Sequence, residues 1–246
     1  MDRLIYTAMT GAKHVLEQQA TNTNNLSNAT TTGFRAQLDS FRAVPVIGAE
    51  LPTRAFVVDA TVGTDFSTGS VQMTGRELDV AIQGKGWFAI ELADGSEAYT
   101  RAGNFKVSET GVLQTQRGLN VLGEGGTITL PPDTSVTIAK DGTISAVPNG
   151  NQVNNVQVIG RLKLVNPEEN SLTRGDDGLF RTKGGVPADA DPTVSVAGGM
   201  LENSNVNVVE SMVTMINLAR SFEMQMKLIQ NAENNETKAA QILSLS

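Results

Sequence analysis

The sequence predicts a mixed α and β fold in which long N- and C-terminal coiled-coil-type helices flank an inserted all-β domain. Three observations predict it. Near both chain ends apolar residues recur at alternating threes and fours, the spacing that lays a narrow seam along a helix. All eight prolines, and nearly all of the 24 glycines, fall between Val44 and Gly199. Within that middle stretch short apolar runs alternate with turn pairs such as Asp94-Gly95, Gly125-Gly126, Asp141-Gly142 and Asp177-Gly178, as strands joined by tight turns do. The predicted boundaries are a helical arm with its turn over 1–44, a β-rich body over 45–199 and a second helical arm over 200–246.

The first arm reads as a helix from about Asp2 to Asn28, free of proline and interrupted only by Gly11. Ile5, Ala8, Ala12, Val15, Gln19, Asn22 and Leu26 form its seam. Ala8, Gly11 and Ala12 are small enough for a neighbouring helix to approach closely. Gln19 and Asn22 are polar seam positions, which lower stability while fixing register or partner. Asn and Thr crowd the chain from Asn22 to Thr32. Their side chains compete with the helical backbone, so the helix should stop near Asn28. Gly33 then supplies a turn and Phe34 an apolar anchor.

In the body, Leu78–Ile82, Trp87–Leu92, Gly118–Leu122, Thr127–Leu130, Ser135–Ile138, Val156–Leu164 and Thr193–Val196 read as strands. The acidic, proline-bearing segment Asn166–Asp191 reads as a loop-rich excursion. Gly84-Lys85-Gly86 lacks the spacing of a phosphate-cradling loop and reads as a turn between strands. Trp87, Phe88 and Phe105 are core candidates. Arg101 and Asn104 either pin a turn or face a neighbouring subunit.

The last arm contains neither glycine nor proline after Gly199. Asn207, with Glu210 three residues on, predicts a helix N-terminus, and the helix should run to about Leu243. Val208, Met212, Met215, Ala219, Phe222, Met226, Ile229, Ala240 and Leu243 form its seam, weakened by Glu233 and Glu236. Ordering nearly forty residues takes more than one narrow seam supplies in isolation. The seam must therefore meet another helix, either the first arm of the same chain or the arms of neighbouring chains.

Charge and composition remove several classes of function. A net charge of −7 is a poor match for phosphate backbones, so no nucleic-acid partner is expected. There is no cysteine, and His14 is the only histidine, which excludes a thiolate metal site and a His-based triad within one chain. Glu77 and Asp79 stand two apart in a predicted strand but read as solvated residues. Glu168, Glu169, Asp176 and Asp177 lack the twelve-residue pattern of a calcium loop. No enzyme activity, cofactor or metal is expected. No apolar run reaches the length of a membrane span, and MDRLIYTAMTGAKH lacks the layout of a cleaved secretory signal.

Asn24-Asn25-Leu26-Ser27-Asn28 followed by Thr32-Gly33-Phe34-Arg35 resembles the N-terminal signature of the bacterial flagellar rod and hook family. TGRELDVAIQGKGWFAIE and YTRAGNFKVSETGVLQTQRGLNVLG resemble its central β domain, and Glu202-Asn203-Ser204-Asn205-Val206 its C-terminal signature. The opening MDRLIYTAMTGA and the chain length look most like the proximal-rod branch. The resemblance implies a structural subunit that leaves the cytoplasm without a cleaved signal, through the flagellar type III export apparatus. It implies assembly with copies of itself and with other rod subunits, the terminal helices forming the polymer's inner layer and transmitting torque across the periplasm. Alternatives are a distal-rod or hook-type axial subunit, or a carbohydrate- or peptidoglycan-binding β module whose helical arms serve for dimerisation.

Overall fold

The computed structural model describes residues 2–45, 55–148 and 156–244. Helix α1 spans Asp2–Ser27 and helix α2 spans Val208–Ser244. Between them, among the described residues, lie eighteen strands, β1 (Gln37–Pro45) to β18 (Met200–Glu202), and the chain divides into two compact units.

The helical unit takes residues 1–29, 36–65 and 206–246. In α1 the apolar face carries Ala8 and Ala12, both buried, with Ile5, Val15, Asn22 and Leu26 half-buried along the same stripe. This face packs on α2 in antiparallel sense: Gly11 lies against the Gln225 side chain, and Asn22 Nδ2 donates to the Ser211 carbonyl at 2.7 Å. The facing stripe of α2 is Ser211, Met215, Leu218, Phe222, Gln225, Ile229 and Ala232, in alternating fours and threes. The N-terminus of α2 is capped as its sequence predicts, with Asn207 Oδ1 accepting from the Val209 and Glu210 amides at 3.1 and 3.3 Å. Beside the helices, β1 and β2 (Ala55–Thr64) pair antiparallel, with a bulge between Ser40 and Phe41. The hairpin is tied to α1 through Thr21 Oγ1 to Asp39 Oδ1 at 2.8 Å and by the edge-on contact of His14 with Phe41.

The β unit takes residues 30–35 and 66–205. Its strands are β3 (Val71–Met73), β4 (Val80–Gln83), β5 (Trp87–Glu91), β6 (Glu97–Thr100), β7 (Phe105–Val107), β8 (Leu113–Thr115) and β9 (Asn120–Gly123). They continue with β10 (Gly126–Thr127), β11 (Thr134–Ile138), β12 (Thr143–Pro148), β13 (Gln157–Arg161), β14 (Leu164–Val165), β15 (Leu172–Arg174), β16 (Phe180–Thr182), β17 (Ser195–Gly198) and β18. The largest sheet runs β15-β16-β6-β5-β9-β8-β7, with β14 added to β5 and β10 to β9. A three-stranded meander β11-β12-β13 and the pairs β17-β4 and β18-β3 complete it. Strand β5 shows why WFAI is apolar without alternation: both of its faces are covered. Phe88 and Ile90 enter one cluster with Val80, Phe105, Leu113 and Val121, while Trp87 and Ala89 enter a second with Tyr99, Val165 and Phe180. Two-sided burial of this kind calls for a continuous hydrophobic run.

The architecture overturns the expected fold class. The protein is mostly β-sheet with two helices, which at 26 and 37 residues form only about a quarter of its length. They are not coiled-coil-type flanks around one inserted all-β domain. They pack on each other within the chain, and β2, from within the expected β body, groups with them beside β1, which falls almost wholly in the expected first arm. Three/four spacing marks any helix with one buried face, whatever covers that face. Asn166–Asp191, expected as loop, holds the β15-β16 hairpin, whose register runs Leu172↔Thr182 to Arg174↔Phe180. Among the described residues no helix is long and apolar enough to cross a membrane.

Candidate functional site

Two features of the structure exceed what the fold needs. The first is a second apolar stripe on each helix. After α1 and α2 have covered one face on each other, Tyr6, Met9 and Leu16 remain 50 to 57% exposed on α1. On α2, Val209, Met212, Val213, Ile216, Met224 and Leu228 remain exposed, Val209 at 71%. Single exposed apolar residues are ordinary, but stripes that continue over several turns mark contact surfaces.

The expected seam residues separate accordingly. Ile5, Ala8, Ala12, Val15, Asn22 and Leu26 lie on the α1 face turned to α2, as do Met215, Phe222 and Ile229 on the facing stripe. Val208, Met212, Ala219 and Met226 lie exposed on α2, and the Leu243 side chain falls outside the described residues.

The second feature is a buried charge cluster where the outer signature residues meet. Gly33 places its amide on the Glu202 carbonyl at 2.8 Å, and Asn205 places its own on the Phe34 carbonyl at 3.3 Å. The two connecting segments of the β unit are thus hydrogen-bonded side by side. The next residue, Arg35, turns inward and donates from Nη2 to Glu202 Oε1 at 2.7 Å, where the Gly69 amide also donates at 3.0 Å. Arg101 Nε stands 3.0 Å from Glu202 Oε2, charge against charge without the alignment of a hydrogen bond. Its two terminal nitrogens hold the Gly86 and Gly84 carbonyls at 2.9 and 2.6 Å, fixing the turn between β4 and β5. All three charged side chains are at least 98% buried. Burial pulls the Arg101 guanidinium down to about 10, with Glu202 opposing and Arg35 adding to the fall. Arg174 closes the cluster, donating to the Arg35 carbonyl at 2.8 Å and stacking 4.6 Å from the Phe34 ring centroid.

The inner signature residues do local work. Asn25 both donates to and accepts from the backbone of Gln37 at 2.8 Å, imitating a peptide group where β1 begins. Asn28 Nδ2 donates to the Asn24 carbonyl at 2.9 Å, and the Leu26 carbonyl accepts from Ala29 at 3.2 Å, ending α1. Ser204 is buried and Val206 half-buried.

Sequence reasoning brought Gly33, Phe34, Glu202 and Asn205 forward as motif residues but missed Arg35 as a site. Its partner Glu202 is 167 residues away, and nothing local distinguishes it from a solvated arginine. Arg101 proves to be the turn pin, one of the two roles open to it.

The remaining chemistry is structural. Glu77 caps β11, accepting from Ser135 Oγ at 2.8 Å and the Val136 amide at 3.0 Å, bonds that hold its carboxyl below the usual range. Asp79 is buried beside Arg76. Among the described residues no three His, Cys, Asp or Glu side chains are grouped to hold a metal. An open cleft is lined by Glu97, Glu124, Lys163 and Asp189, with Lys163 paired to Glu97 at 2.7 Å and Glu124 paired to Arg161 at 3.3 Å. Trp87, Phe88, Tyr99, Phe105 and Phe180 are buried, so these rings form no sugar-stacking platform.

Residues 81–146 match the model of the flagellar hook protein FlgE/F/G D1 domain, and residues 197–242 match that of the flagellar basal body rod FlgEFG protein C-terminal region. The chain is 50% identical over 252 residues to the flagellar basal-body rod protein FlgF of Salmonella typhimurium, covering the whole of both chains. It is 51% identical over 253 residues to FlgF of Escherichia coli, again over both full lengths. To the flagellar basal-body rod protein FlgG of Bacillus subtilis it is 32% identical, over 95% of this chain and 96% of that one.

Proposed function

The chain belongs to the family of flagellar basal-body rod proteins, and from that premise we propose that it is a proximal-rod subunit assembling through the outward faces of α1 and α2. Its role as a structural subunit of the basal-body rod follows from the family. The finer reading adds that assembly is head to tail without ring closure, giving a helical shaft that carries torque. Its partners are copies of itself and other rod subunits. It performs no catalysis and takes no cofactor. It reaches the periplasm-spanning rod through the flagellar type III export apparatus, without a cleaved signal.

The observation that carries the assembly surface is the second apolar stripe. Each exposed aliphatic position offers about 1 kcal/mol on half-burial, against an association cost of about 4 to 15 kcal/mol. One neighbour covering part of the stripe gives a marginal contact, whereas several neighbours covering all of it give a stable one. Weak pairwise contact with strong collective contact is what a polymer built by addition needs. Val208, Met212, Ala219 and Met226 are the seam residues assigned to these contacts, because they are the ones that α1 leaves uncovered.

The test is Met212→Asp combined with Met224→Asp. Both side chains are exposed in the monomer, so its melting temperature and helicity should stay within error of the parent, while rod assembly and motility are lost. Motile cells complemented by the double variant would refute the assignment.

A further inference from the structure

We propose that Glu202 is a latch: it makes closure of the β unit conditional on the incoming segment 30–35 and the outgoing segment 195–205 being seated together. A single side chain gathers Arg35 from the first segment, Gly69 and Arg101 from the body, and belongs itself to the last strand, β18. Its carbonyl takes the Gly33 amide as well. Without the Glu202 carboxylate two deeply buried guanidiniums face each other with no counter-charge, and Arg35 Nε and Nη1 already meet no acceptor. Charges of one sign in a dry interior oppose closure until an opposite charge arrives.

The strands around the latch are the ones that complete the body. Among the described residues β17 is the one strand paired with β4, with Val196 opposite Ile82 and Gly198 opposite Val80. Strand β18 covers β3, placing Glu202 opposite Val71. Val194 and Val196 are buried members of the main core. The last dozen residues of the unit therefore bring the missing edge strands, the missing core side chains and the missing anion at once. A chain lacking them keeps β4 open and its arginines repelling, so the unit stays unclosed until the polypeptide is complete through Asn205.

Hydrogen exchange on the full-length chain tests this. Glu202→Gln keeps the shape and removes the charge. Exchange should quicken about tenfold to a hundredfold, the loss of one or two buried charge-assisted hydrogen bonds, in the peptides spanning 30–35, 67–83 and 195–205 together. The peptides spanning 87–100 and 143–148 should keep their parental rates. Ile144→Ala, a truncation in the main core that leaves the charge cluster intact, should instead quicken all five. A Glu202→Gln profile matching that of Ile144→Ala, or one matching the parent, overturns the proposal. Should Glu202→Gln fail to fold, Arg35→Met leaves one guanidinium against one carboxylate. It should quicken exchange at 30–35 and 195–205 alone, and a uniform change or none would equally overturn the latch.

Discussion

Gly33 holds φ at +68°, and a Cβ there would lie 2.4 Å from the Ala102 nitrogen and the Arg101 carbonyl carbon. Backbone cannot move aside as a side chain can. Gly33→Ala should therefore destabilise the protein by about 3 kcal/mol, combining left-handed strain with the displacement of the Arg101 turn, as read from denaturant melts. Tyr99 gives a second prediction of the same grain. Its hydroxyl accepts from the Ala188 amide at 2.7 Å, and burial pushes the phenol up to about 12. The unfolded phenol ionises near 10, so the folded state holds its proton longer. The stability linked to Tyr99 is complete below pH 10 and is lost as pH climbs towards 12, since only the unfolded chain gains by releasing the proton. Denaturant melts between pH 9 and 12 should show this fall, and Tyr99→Phe should flatten it. Single residues were legible where backbone chemistry demanded a type, as at Gly33. The role of Arg35 was not, because a buried ion pair closed across 167 residues leaves no local trace.

Helix α2 begins where its sequence says it should, since an N-cap is a local device. Asn207→Ala should cost about 1 kcal/mol and loosen the first turn, measurable as a lower melting temperature with faster exchange at Val209 and Glu210. Its facing stripe was harder to read. Between Val208 and Leu228 apolar residues occupy both sides of the helix, so more than one alternation of fours and threes threads them. Only α1 decides which is covered: Met215, Phe222 and Ile229 belong to both threads, while Ser211 and Gln225 carry no apolar signal and Leu218 lies on the thread that packs rather than on the one expected. In α1 the second stripe, Tyr6, Met9 and Leu16, is interrupted by Lys13, and the fuller thread through Ala8 and Ala12 is the buried one. Strands followed the same logic. Trp87–Glu91 declares itself through a solid apolar run, whereas Gln37–Pro45 carries Asp39 and Arg42 among its apolar residues and needs β2 to become a strand.

At the level of the whole molecule, helix α2 runs on to Ser244, past the buried Ala232. On the assembly reading the final ten residues matter to neighbours more than to the monomer. Deleting 237–246 should leave the melting temperature of the isolated chain within about 2 °C, a shift below 1 kcal/mol for a chain of this size, and abolish incorporation into rods, scored by electron microscopy of basal bodies. The β unit carries a different consequence. Asn205 Nδ2 reaches the Ser67 carbonyl and hydroxyl at 3.1 and 3.2 Å, and the Asn203 amide reaches the Ser70 carbonyl at 2.8 Å. The long excursion from 66 to 205 therefore departs and returns through one doorway. Such a module is a cassette: a bulkier or slimmer version grafted at the same two stumps leaves the spacing of those stumps as it was, so ornament can diversify while the helical unit is inherited intact.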